Sequence, residues 1–79
     1  MPQKITELFA WVATEPDGSE GVCAHEVVID GRRMIAPLVG ADRARIQSYR
    51  GFADTIAETT GRPIRLMRFS NAETLERLG

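Results

Sequence analysis

Apolar side chains fill both alternating sets of positions in ITELFAWVAT, residues 5–14: Leu8, Ala10 and Val12 in one set, Phe9, Trp11 and Ala13 in the other. Aromatic and β-branched residues followed by a turn predict a strand. A strand covered on one face alternates with polar residues, so this one is expected inside a sheet with apolar material on both sides. Glu15-Pro16-Asp17-Gly18 then reads as a turn, proline setting the first corner and glycine admitting the left-handed position. GVCAHEVVI at residues 21–29 predicts a second strand, and Asp30-Gly31 a type I′ hairpin turn, whose two central residues both need positive φ. Residues 33–38 form a short third strand, and Pro37, lacking a ladder donor, places it at an edge or ends it early.

From Ala41 to Thr60 the period becomes helical. Ile46, Tyr49, Ala53, Ile56, Ala57 and Thr60 share one stripe, with Phe52 on its flank. Gly40 or Asp42 caps the start, and Gly61 with Pro63 two residues later forms the stop. PIRLMRF at residues 63–69 predicts a fourth strand. Ser70-Asn71-Ala72-Glu73 matches a capping box, which predicts a short helix over 71–78 with Ala72, Leu75 and Leu78 as its apolar face. The expected fold is a two-layer α+β domain of order βββαβ(α). It has a mixed four-stranded sheet in strand order 3-2-1-4, with the fourth strand parallel to the first after a right-handed crossover. One long helix covers one face. Order 1-2-3-4 is the alternative.

Length limits how well such a fold can hide its apolar residues. The 79 residues make one domain, 1–79. A chain of this size has a marginal core, and small domains compensate with disulfides, a metal or oligomerisation. Cys23 is the only cysteine, so a disulfide within the chain is excluded, and Cys23 with His25 falls short of the four ligands of a structural zinc. Association with another chain is the remaining support. Hydrophobic residues are 43% and charged residues 27%, which argues against disorder. The apolar run Leu8–Ala13 is too short for a signal sequence or a membrane span, so the expectation is a cytoplasmic protein with no membrane partner.

Net charge is −1 but unevenly spread. Residues 1–31 carry six acidic side chains against Lys4, and residues 32–68 carry eight arginines against three acidic side chains. Folding the halves together would neutralise both. Arg62, Arg65 and Arg68, interleaved with Met67 and Phe69, also fit a surface for single-stranded nucleic acid. The acidic first half opposes general phosphate binding, so nucleic acid is the second choice of partner.

No catalytic or cofactor constellation emerges. Cys23 and His25 lie two apart on a strand and point the same way, but no third group orients the imidazole and the neighbours Val22, Ala24, Val27 and Val28 favour a buried thiol. The glycines form no phosphate-cradling pattern, and Glu7, Glu26 and Glu58 have no evident partner for acid–base work.

Two apolar or small surfaces are left over. On the back of the long helix fall Ala41, Ala44, Ser48, Gly51, Thr55 and Thr59, all small and uncharged where a surface helix usually shows charge. With one helix on one sheet face, the other face would still expose strand-1 residues such as Phe9 or Trp11, plus Met67 and Phe69. The candidate interface is therefore Phe9, Trp11, Ala44, Ser48, Gly51, Thr55, Met67 and Phe69. The function expected is a non-enzymatic protein-interaction module, its expected partner a second copy (a homo-oligomer) or another protein. A nucleic-acid accessory protein and a small-molecule binder, with its ligand between helix and sheet, are the alternatives.

The segments Glu7-Leu8-Phe9-Ala10-Trp11-Val12-Ala13, Pro16-Asp17-Gly18 with Glu20-Gly21, Val39-Gly40-Ala41-Asp42 and Gly61-Arg62-Pro63-Ile64-Arg65-Leu66-Met67-Arg68-Phe69-Ser70 together resemble a set of short uncharacterised bacterial and phage-associated proteins. The resemblance implies a stand-alone module and carries over no functional residue.

Overall fold

A computed structural model describes residues 4–79; the first three residues of the expected 1–79 domain lie outside the described part. The chain is α+β. Strand β1 (Leu8–Thr14) is central, and β6 (Ile64–Phe69) pairs with it antiparallel along one side. Its other side is shared end to end by β2 (Glu20–Val22) and β5 (Val39–Gly40), both also antiparallel to β1. Between β2 and β5 the chain leaves the sheet as a two-stranded hairpin, β3 (Ala24–Ile29) and β4 (Arg32–Pro37), and then returns.

The point of departure is a closed ring of three backbone hydrogen bonds. Cys23 N–H donates to Trp11 O at 2.8 Å, Trp11 N–H to Leu38 O at 3.1 Å, and Leu38 N–H to Cys23 O at 2.8 Å. One residue of β1 thus receives the hairpin's root from both of its strands. Beyond it, Asp30 (φ 51°) and Gly31 (φ 76°) make the expected positive-φ turn, with Ile29 opposite Arg32.

The helical span is two helices, α1 (Arg43–Ser48) and α2 (Arg50–Thr60). Asp42 caps α1, its carboxylate accepting from Arg45 N–H at 2.8 Å. Gly61, at φ 69°, ends α2 and donates its N–H to Ala57 O at 2.9 Å. The single helix expected over 41–60 breaks at Tyr49 for a visible reason. The Ile46 carbonyl accepts the Trp11 indole N–H at 2.9 Å as well as the Tyr49 N–H at 3.2 Å. A side chain entering the helical ladder interrupts it.

Helices cover one sheet face. Directly opposed residues share a face, which groups Phe9, Trp11 and Ala13 with Leu66 and Ile64. These pack with Cys23, Leu38, Ile46 and Ala53, and with Tyr49 and Ile56 at the margin. The predicted helix stripe therefore does face the core.

Two expectations need correction. The neighbour relations 3-2, 2-1 and 1-4 occur, but the 3-2 pair forms a separate two-stranded sheet and β5 takes its place in the four-stranded one; the fourth strand runs antiparallel to the first, and the pairings described include no parallel one. The crossover does join two strands of like direction, β5 and β6. The bend at Leu38 turns the chain before the crossover begins, so its starting strand opposes β1. The second correction concerns the helix over 71–78, which does not form. Asn71 sits at φ 64°, in the left-handed region, and residues 70–79 are exposed without regular structure. Helix nucleation is unfavourable, and Leu75, 87% exposed, finds no apolar surface to offset it.

Trp11→Phe is expected to lower stability by about 1–2 kcal/mol through loss of the buried indole hydrogen bond, with part of the ring contact. Urea denaturation followed by far-ultraviolet circular dichroism reads it. A change under about 0.5 kcal/mol would mean that the Tyr49 N–H alone satisfies the Ile46 carbonyl.

Candidate functional site

The surface left uncovered is apolar in two places. The first is the β3–β4 arm. Its cross-strand pairs put His25, Val27, Ile29, Arg32, Met34 and Ala36 on one face. Ala24, Glu26, Val28, Arg33, Ile35 and Pro37 occupy the other. Only the root is held: the His25 ring stacks on Phe52 of α2 at 4.2 Å between centroids, with Tyr49 at 6.1 Å. Farther out, Val28 is 68% exposed and Ile35 78%, while Ile29 and Met34 are about half exposed. A two-stranded ribbon is at best marginally stable in water by itself, and this one shows apolar side chains on both faces.

The second place is the sheet face away from the helices, which carries Leu8, Ala10 and Val12 of β1, Met67 and Phe69 of β6, Val22 of β2 and Val39 of β5. Ala10 and Val12 are buried among their neighbours, whereas Leu8, Val22 and Phe69 are exposed.

The residues singled out from sequence divide accordingly. Met67 and Phe69 lie on the open sheet face, half-buried and 47% exposed respectively. Phe9 and Trp11 do not: both are core residues on the helix side, Trp11 only 7% exposed. Strand alternation leaves Leu8, Ala10 and Val12 for the open face instead. Ala44 and Ser48 on α1 and Gly51 and Thr55 on α2 are exposed, divided between two helices rather than lined along the back of one, and a Cβ at Gly51 would meet nothing within 4 Å. No close approach therefore requires that glycine within the chain. Reading the sequence missed the arm residues Val28, Met34 and Ile35. The signal was present, since both strands beside Asp30-Gly31 carry apolar residues in both alternating sets.

The three arginines of the fourth-strand region all face carboxylates from the acidic first part of the chain. Arg62 lies 3.1 Å from Glu15, Arg65 2.8 Å from Glu20, and Arg68 3.9 Å from Glu7. On the arm, Arg33 lies 3.2 Å from Glu26. The Arg65–Glu20 pair spans β1 on the side where Val12 lies, because Arg65 and Val22 both oppose Val12. Two other arginines lie over core aromatics: Arg43 is 5.8 Å from the Phe9 ring centre and Arg50 5.7 Å from that of Trp11.

Burial pushes the Cys23 thiol's pKa up from its ordinary value. Its neutral form is favoured, the opposite of what a nucleophilic cysteine needs. His25 Nδ1 is buried with no hydrogen-bond partner. Among the described residues no group of three or more His, Cys, Asp and Glu side chains is placed to hold a metal ion. At the first turn, Asp17 accepts from the Ser19 hydroxyl at 2.7 Å and the Ser19 N–H at 2.9 Å, which lowers its pKa. Peripheral hollows include one of about 150 Å³ lined by Ile5, Leu8 and Phe69 and one of about 250 Å³ beside Phe9, Arg43 and Arg68. No helix is long and apolar enough to cross a membrane among the described residues. Compared with protein-family models, curated proteins and solved structures, the chain matches none.

A double-mutant cycle on Arg65 and Glu20 is expected to give a coupling of no more than about 1 kcal/mol, because both side chains are half exposed. A clearly larger value would show that the pair is desolvated. Cys23 should be alkylated far more slowly in the folded chain than in urea at pH 8, with mass spectrometry counting the adduct. Equal rates would place the thiol at the surface.

Proposed function

We propose that the chain is a non-enzymatic protein-interaction module that associates with a second copy of itself. The observation that carries this is the amount of surface the protomer leaves in water. Its accessible area is 6670 Å². A folded monomer of 8.7 kDa is expected to expose about 4,700 Å². The excess of about 2,000 Å², part of it from the exposed tail 70–79, exceeds the roughly 800 Å² per partner that a standard protein interface buries. The radius of gyration, 14.7 Å, likewise exceeds the roughly 11.6 Å of a compact chain this long. Large apolar side chains are exposed on the arm, at Val28, Ile29, Met34 and Ile35, and on the open sheet face, at Leu8, Val22 and Phe69.

The other readings have less support. Arg62, Arg65 and Arg68 already face carboxylates, so binding nucleic acid through them would require breaking those pairs. A small ligand between helix and sheet would compete with the fully buried Leu38 and Ile46.

Size-exclusion chromatography with light scattering at about 100 µM, where even micromolar dimers are populated, should give a particle of twice the 8.7 kDa chain mass. A strictly monomeric protein there would contradict the proposal. In parallel, oligonucleotides at about 50 mM salt should show no salt-dependent binding; clear binding would favour the nucleic-acid reading.

A further inference from the structure

The arm also indicates how two copies would meet. The Asp30–Gly31 turn makes Ile29 and Arg32 a hydrogen-bonded pair, and the pairs alternate from there. The Leu38 N–H to Cys23 O bond at the root fits the same phase. It follows that Val28↔Arg33 and Glu26↔Ile35 are the wide pairs, whose backbone N–H and C=O groups point away from the hairpin. β4 therefore presents Arg33 and Ile35 as a free edge, and β3 presents Ala24, Glu26 and Val28.

We propose, building on the self-association reading, that β4 of two copies pairs antiparallel about a two-fold axis at Met34, joining both arms into a four-stranded intermolecular sheet. In this register Arg33 of each copy faces Ile35 of the other, and all their outward N–H and C=O groups find partners. Met34 faces Met34. No like charges oppose one another, and the Arg33 guanidinium keeps Glu26 within its own arm. Registers that recruit Pro37 lose a donor at each use of it. The β3 edge carries Glu26 at the centre of its outward set, a charge of the kind that guards edges against pairing. Pairing β3 of one copy with β4 of the next would leave a free edge at each end and grow without closing, whereas the two-fold pairing closes. The partner is a second copy because the edge complements itself and the protomer's excess surface is larger than a dimer requires.

Light scattering at about 100 µM and non-reducing electrophoresis of three variants test this against the unaltered chain. Met34→Cys should give a disulfide-linked dimer on mild oxidation. A facing non-hydrogen-bonded pair holds its Cα atoms about 4.5 Å apart, within disulfide range. The unaltered chain, whose Cys23 is buried, should not cross-link. Ile35→Pro removes an outward N–H without touching the hairpin's own ladder, so it should raise the dimer Kd at least about tenfold with an unchanged dichroism spectrum. Val28→Pro, on the opposite edge, should leave the dimer intact. A dimer that survives Ile35→Pro, or a Met34→Cys variant that dimerises without cross-linking, overturns the pairing while self-association through another surface stands. A monomeric unaltered chain overturns both.

Discussion

The hydrogen bond from the Trp11 indole to the Ile46 carbonyl, together with the backbone ring that Trp11 forms with Cys23 and Leu38, is the constraint on which the rest of the structure depends. The indole ends α1 and seats the helices on one face of the sheet. The Trp11 backbone occupies the gap between β2 and β5, so it receives the chain on its way out to the arm and again on its return. Because that return involves a bend at Leu38, β5 runs against β1, and β6 follows it in direction after the helices. The polarity of the sheet, the break at Tyr49 and the root of the arm all trace to one residue of the central strand.

The same arrangement explains why the core is small. Everything fixed by Trp11 lies on one sheet face, where Leu38 and Ile46 are fully enclosed. The arm shares in this only at His25, stacked on Phe52. Its outer half contributes no burial, and the tail from residue 70 adds none. Part of the uneven charge of the chain is settled within the protomer. Glu7, Glu15 and Glu20 face Arg68, Arg62 and Arg65, so the basic run that resembled a polyanion surface is instead matched across the sheet. Exposed apolar side chains remain on the arm and on the open sheet face.

Features decided by neighbouring residues were legible in the sequence. Asp30-Gly31 adopts two positive φ angles, Asp42 caps α1, Gly61 stops α2, and the stripe through Ile46, Ala53 and Ile56 faces the sheet. Features decided by long-range pairing were not. GVCAHEVVI looks like one continuous strand, and nothing local marks Cys23 as the residue where it leaves β1. Phe9 and Trp11 were assigned to the wrong face because β1 is apolar in both phases, and only the position of the helices distinguishes them. The capping-box pattern at Ser70–Glu73 starts no helix, since no apolar surface meets Leu75 and Leu78. Of the candidate interface, Met67 and Phe69 could be read from strand alternation, whereas the arm tip needed the hairpin's separation from the sheet to be seen.

The proposed pairing divides the chain into a body complete in one protomer and an arm completed by a second. Amide hydrogen exchange, measured peptide by peptide across a range of protein concentrations, tests that division most directly. Peptides covering β1 and the helices should be protected to the same degree at every concentration, while a peptide covering Arg32–Pro37 gains protection of the two outward amides, Arg33 and Ile35, only as concentration rises through the dimer Kd. Exchange at those two amides that is fast and unchanged at every concentration, or already slow in dilute protein, would contradict it.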